Sequence, residues 1–448
     1  MNKGRIVQVT VGMIVLIGLL LASLFVIEIS KSNQKEFLKG LTTLEEPFLR
    51  LTGTTDVERK ARSQDYIVQG KMQVKLDGYR GQELEEKIEQ GTNIIVTGQT
   101  KGLEKQSFRE YTWKKEDMEV MKVKLLRDGQ KIAWGADEIV NAYVAVENTN
   151  LHELLGNLDK PAPYAIDKIE ENSLLDFFLL EEIEKEALQE YGTVLAENTK
   201  KEDYKKVKQV FSIDGKQRQV TGYGLTLDPN KVKILALAMC QTLQEDSITL
   251  NLLSKRMKTL GFPEEETNIN AIHERLEGIK QSLQNGTKQV QGLTIVYYPW
   301  KKQCLQLEVI YGGNQFVFQQ EPKTDQVALS WKTKENMGKV AKAGNQTMLQ
   351  ISNQKETWEI VQEAEEKETG LNRKLSVLAK DANGTFQMKY QEEKIFQEQV
   401  DRIERLTNEN SVTLNQYPKS ELRILLQAIQ TQWDFVCRMK REQLLQIL

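Results

Sequence analysis

Cysteine and histidine are scarce in this chain, with three cysteines and two histidines in 448 residues. Cys240, Cys304 and Cys437 stand far apart and form no CxxC pair. An odd count at such spacing supplies neither a disulfide framework nor a closed zinc site, so the three read as small buried apolar groups. The histidines are equally uninformative. His152-Glu153 and His273-Glu274 each begin as HE, but the fourth following positions are Gly156 and Glu277, so the HExxH zinc motif is absent. No GxSxG elbow, GxGxxG turn or GxxxxGK[ST] loop occurs. An SxxK, Ser32 to Lys35, lies beside a long apolar run with no pocket in prospect. Paired carboxylates such as Glu181-Glu182 discriminate nothing among 64 acids. No catalytic residue, metal ligand or cofactor can be named, and no cofactor is expected.

Clustered basic charge is also missing. The net charge is −3, and all 64 acids but only 59 of the 61 Lys and Arg follow the apolar run, Lys3 and Arg5 preceding it. A mixed, weakly acidic surface lacks the basic face that binds nucleic acid, so no nucleic-acid partner is expected.

What the chain does have is one uncharged run, Ile6 to Ile27, IVQVTVGMIVLIGLLLASLFVI. At about 1.5 Å per residue its length crosses a hydrocarbon core of about 30 Å. Lys3 and Arg5 before it predict an N-terminus in the cytoplasm and a C-terminal bulk outside. A cleaved signal peptide would carry a shorter core of about 7–15 residues ending in small residues, which Ala22-Ser23-Leu24, followed by more apolar residues, does not. The expected localisation is a cell membrane crossed once.

Beyond a polar stretch the hydrophobic period is two. Strands are predicted over Tyr66–Leu76, Asn93–Thr100, Ser107–Trp113, Met118–Leu126, Gln130–Trp134 and Ala142–Val146, with Asp128-Gly129 as a hairpin signal. Helical periodicity follows over Glu171–Tyr191, then a hairpin turning at Asp214-Gly215, then a helix capped by Asp228-Pro229, and two more over Ser247–Leu260 and Ile269–Leu283. From Val290 short strands recur: Leu293–Tyr298, Cys304–Tyr311, Gln315–Gln319, Val327–Lys332, Thr347–Ile351, Thr357–Gln362, Leu375–Ala379 and Thr385–Tyr390. A long amphipathic helix, Lys419–Leu448, closes the chain. Runs of strands then runs of helices predict an α+β fold. The expected form is an N-terminal transmembrane helix followed by curved antiparallel sheets with helices packed on one face, like a half-barrel. The expected divisions are a cytoplasmic tail (1–5), the span (6–27), a stalk (28–60), a first α+β region (61–286) and a second meander with its closing helix (287–448).

The stretch Ala142–Leu155, AYVAVENTNLHELL, resembles a segment of membrane-anchored ectodomain proteins of clostridia-type Gram-positive bacteria, in which a strand Y-V/I-A-V-E-N leads into a helix N-L-x-E-L. The likeness extends over about residues 60–260 and includes the Asp214-Gly215 hairpin and the strand Tyr223–Leu227. It implies an exported Gram-positive protein and carries no functional residues across.

One surface motif invites a ligand: Tyr297-Tyr298-Pro299-Trp300-Lys301-Lys302. Tyr297, Tyr298 and Trp300 with flanking lysines suit sugar stacking or a lipid interface, although alternating rings at a strand end equally suit a core. The expected function is a membrane-tethered extracytoplasmic binding or carrier module, non-enzymatic, with lipid, wall polymer or envelope protein as partner. A wall-active hydrolase and an assembly partner docking through the C-terminal helix are the alternatives.

Overall fold

The computed structural model describes residues 33–41, 50–51, 63–79, 92–115, 118–149, 151–158, 182–259, 262, 264–286, 290–301, 303–322, 324 and 326–445. The span expected at 6–27 lies outside them. Among the described residues no helix is long and apolar enough to cross a membrane.

The expected α+β arrangement is overturned. Among the described residues the structure is mostly sheet, with eighteen strands. Two things produce the difference. Several strands reach 12 or 13 residues, such as Asp65–Asp77 and Thr385–Gln397. The polar segment Asn336–Ala343, NMGKVAKA, also pairs as a strand although it shows no apolar alternation. Neighbouring strands on both sides supply its hydrogen bonds, and that tertiary context overrides weak propensity.

The chain groups into two units, the second interrupted in sequence by most of the first. The first takes the described residues within Met1–Gly53 and Glu171–Gln354; the second takes those within Thr54–Glu170 and Lys355–Leu448. Residue 286 therefore falls inside the first unit.

In the first unit the strands run in chain order as an antiparallel meander: β7 (Tyr204–Ile213), β8 (Lys216–Leu227), β9 (Leu293–Trp300), β10 (Gln303–Tyr311), β11 (Asn314–Gln320), β12 (Val327–Lys332), β13 (Asn336–Ala343) and β14 (Gln346–Asn353). Asp214 and Gly215 join β7 to β8 with φ of 56° and 72°, the paired positive values that a two-residue hairpin turn needs. Asp228 caps the helix Pro229–Glu245 by accepting from the Lys231 N–H at 2.9 Å, with proline at its first turn. Val232, Leu235 and Met239 of that helix pack on Leu225, Leu227, Ile295 and Leu307 of the sheet. The helix Asn33–Leu41, read from sequence as stalk, adds Phe37 and Leu38 to the same core. Phe37 is wholly buried, edge-on to Tyr204 at 5.4 Å.

In the second unit strands distant in sequence lie side by side. The order is β15 (Glu356–Lys367), β16 (Gly370–Asp381), β17 (Thr385–Gln397), β1 (Asp65–Asp77), β2 (Thr92–Lys101), β3 (Gln106–Lys115), β4 (Met118–Asp128), β5 (Lys131–Gly135), β6 (Tyr143–Glu147) and β18 (Ser411–Thr413). All pairs are antiparallel except β6 with β18. The longest match is β1 with β17, paired over thirteen residues from Asp65↔Gln397 to Asp77↔Thr385. The closing helix Lys419–Leu445 packs Leu422 and Val436 against the β4–β6 end of the sheet.

Candidate functional site

Side chains of a strand alternate between the two faces of the sheet. On β17 one face reads Phe386, Met388, Tyr390, Glu392, Lys394, Phe396, apolar at both ends and charged between. The register sets Lys394 beside Val68 of β1 and Leu371 of β16, and sets Glu392 beside Gly70 and Arg373. Continuing across, Val68 pairs with Gly98 of β2, and Gly98 with Arg109 of β3. Three cations, Arg109, Arg373 and Lys394, are thereby brought to one face, where Arg373 and Lys394 flank one buried carboxylate, Glu392.

Two glycines clear the floor. A Cβ on Gly98 would lie 2.2 Å from the Phe108 carbonyl oxygen and 2.9 Å from Arg109 Cδ. One on Gly70 would lie 2.7 Å from the Gln391 carbonyl oxygen and 3.3 Å from the Tyr390 ring. Arg109 lies in the space Gly98 leaves. Its Nη1 donates to the carbonyl oxygens of Gln99 and Phe108, both at 2.9 Å, and its Nη2 to Thr100 Oγ1 at 3.0 Å. All these acceptors are neutral. Two cations approach the Tyr66 ring, with Arg109 Cζ 5.6 Å and Lys394 Nζ 5.3 Å from its centroid.

Glu392 accepts from the Tyr390 hydroxyl at 2.8 Å. Its other oxygen is 3.6 Å from Lys394 Nζ and 3.9 Å from Arg373 Nη1, close enough to attract and too far to hydrogen-bond. Arg373 Nη2 donates to Gln362 at 2.6 Å, while its Nε is buried without a partner among the described residues. Such an unmet donor costs about 1–3 kcal/mol. Burial, then the Glu392 carboxylate, pushes the Tyr390 hydroxyl far above the ordinary phenol range. Tyr111 is raised as well, by burial first, with Arg109 opposing and Glu392 adding to it. These phenols remain donors at neutral pH. Chemically, the island can hold an anion. No nucleophile stands against a base in it.

The residues singled out from sequence lie elsewhere. Tyr297 and Tyr298 are each only 3% exposed and enter the cores on opposite faces of the first unit's sheet. Tyr297 lies under the first helix, where a Cβ on Gly40 would fall 2.1 Å from its ring. Tyr298 packs edge-on to Phe211 at 5.1 Å. Trp300 is half-buried, with Arg218 Cζ 5.5 Å from its ring centroid. The structure brings these three to a strand end and not to one surface. Glu277, the carboxylate paired with His273 in sequence, is hydrogen-bonded by Gln244, Lys280 and Gln281, which hold its carboxyl below the usual range. Among the described residues no three His, Cys, Asp or Glu side chains are grouped as a metal site would require.

Sequence reading missed Arg109, Arg373, Glu392 and Lys394, because charges alternating along a strand read as its wet face. The available signal was the mid-strand switch on β17 from Phe386-Met388-Tyr390 to Glu392-Lys394 on one face.

No family model matches the chain, and no curated protein does. Among solved structures, one titled "The Structure of Intact Ap-TbpB (N and C lobes)" aligns at 7% identity over 75% of this chain and 77% of that chain, with a TM-score of 0.13. A likeness at that level carries no argument.

Proposed function

We propose that this is a membrane-tethered extracytoplasmic protein that binds a charged molecule of the cell envelope and performs no chemistry on it. The apolar run at 6–27, with Lys3 and Arg5 before it, supports the tether and the outward orientation. The resemblance around Ala142–Leu155 supports the same placement. The observation that carries the binding reading is the polar island: Arg373 and Lys394 share one carboxylate without hydrogen-bonding it, Arg109 stands on the same face, and a guanidinium N–H there is buried with no partner among the described residues. Protein interiors pair their buried polar groups, and the loosely paired charges on this face support a binding role.

The test has two parts. A C-terminal alkaline phosphatase fusion should be active and a C-terminal fluorescent-protein fusion dark if the bulk lies outside; the reverse pattern sinks the placement. Native mass spectrometry of the full chain, purified in mild detergent from its own envelope, should show a bound mass. A chain that is always empty sinks the binding reading.

A further inference from the structure

We propose that the free edge of β7 binds an extended acidic segment of a partner protein, which adds to the first unit's sheet as one more strand. The inference does not use the charged island of the second unit. Among the described residues β7 (Tyr204–Ile213) pairs with β8 only, residue for residue and without a bulge. Its loop is Asp214 and Gly215, so Ile213 and Lys216 form the closing hydrogen-bonded pair. Such pairs alternate along an antiparallel ladder. Phe211, Gln209, Val207 and Lys205 therefore bond to β8, and the residues between them turn their N–H and C=O groups outward. Tyr204 belongs to the outward set, and its carbonyl oxygen already accepts from Asn33 Nδ2 at 3.3 Å. Lys206, Lys208, Val210 and Ser212 continue that row. They are exposed, and their outward groups have no hydrogen-bond partner among the described residues. A row of this kind is a template for a further strand.

Charge selects the partner. Lys205, Lys206 and Lys208 are exposed and make no ion pair among the described residues. The strand carries no acid, in a chain whose net charge is −3. Lysine on an edge guards against unwanted pairing, but it discriminates by charge. A second copy of this chain would set these three lysines beside three more, and like charges on adjoining strands repel. A strand bearing Asp or Glu is attracted by the same lysines. Side-chain alternation then gives the pattern of the partner. On one face it needs acids opposite Lys206 and Lys208 and an apolar residue opposite Val210, which is 56% exposed. On the other it needs an acid opposite Lys205 and apolar residues opposite Val207 and Phe211. Those two are half-buried at the margin of the core that holds Ile213, Val220 and Tyr298.

The experiment uses the full chain in detergent micelles and a fluorescent peptide read by anisotropy. The peptide carries glutamate where it faces Lys205, Lys206 and Lys208 and valine where it faces Val207, Val210 and Phe211. It is made in the antiparallel order and in the reverse, parallel order. Binding by either, lost when lysine replaces the glutamates, supports the inference. Bound peptide should also slow amide exchange over residues 204–213, since the outward N–H groups are the ones that gain partners. Val210→Pro removes an outward N–H and leaves the β7–β8 ladder its bonds, so it should weaken binding about tenfold or more. Val210→Ile keeps the N–H and the apolar surface and should bind like the parent. Lys206→Gln combined with Lys208→Gln should weaken binding too, and it replaces the proline variant if melting shows that variant unfolded. No binding in either order, or parent-like binding by both weakened variants, overturns the inference. Concentration-dependent dimerisation of the chain that Val210→Pro abolishes puts a second copy on this edge and overturns it as well.

Discussion

At the scale of single residues the second unit's site depends on what is missing as much as on what is present. Gly98 leaves the channel through which Arg109 reaches two carbonyl oxygens, and a methyl group there meets the Phe108 carbonyl at 2.2 Å. Gly98→Ala should therefore lower stability by about 1–3 kcal/mol, measured as a fall in melting temperature, and an unchanged melt would show that the ladder yields freely. The cysteines give a second prediction. Burial pushes the Cys240 thiol up to about 11, with Lys280 partly opposing, and raises the fully buried Cys304 further. Thiolate is the reactive form, so both should resist alkylation at pH 8 in the native protein and label promptly once it is denatured. Peptide mass mapping reads this directly. Rapid native labelling of either residue would contradict its burial.

Among the elements, the helix Asn33–Leu41 changes most between sequence and structure. As a sequence it is part of a polar, charged stretch that follows the apolar run at 6–27. In the fold its Phe37 fills the first unit's core against Tyr204, and Gln34 donates to the Ala196 carbonyl at 3.2 Å. Phe37→Ala should cost about 3–5 kcal/mol, seen as a lower unfolding midpoint, whereas a free stalk would show no effect. Hairpins and caps were legible because their causes are local. Asp214-Gly215 adopts its turn through two positive φ values, and Asp228 caps the helix Pro229–Glu245 through the Lys231 N–H at 2.9 Å. The strand Asn336–Ala343 was not legible, since only its neighbours on either side make it one.

For the whole molecule, buried phenols set a pH limit. Burial pushes Tyr204 up to about 12, and burial together with Glu404 pushes Tyr143 up to about 12 as well. An unfolded tyrosine titrates near 10. The folded state thus holds the proton more tightly, and the stabilisation is fully present below about pH 10 and lost as pH rises from about 10 to about 12. Thermal melts from pH 8 to 11.5 should be level and then fall steeply above pH 10; a flat profile throughout would disprove it. On the acid side Asp203 behaves oppositely. Burial alone would raise it, but the Lys231 ammonium and the Lys200 N–H outweigh that and hold the carboxyl below its usual range. Its contribution is present above about pH 4 and lost as pH falls through the lowered value.

The sequence by itself determined where most strands and helices lie, their turns and caps, and the presence of one apolar run long enough to span a membrane. Periodicity and turn chemistry act within a few residues, so a linear reading reaches them. Only the tertiary structure decided that β1 pairs with β17, more than three hundred residues away, and that the sheets dominate over the helices. That pairing brings Arg109, Arg373, Glu392 and Lys394 to one face. Each of these charges alone is an ordinary polar residue of a strand. The register of four strands, β2, β1, β17 and β16, with β3 beside them, makes them a site, because side-chain alternation fixes the face and cross-strand pairing fixes the neighbours.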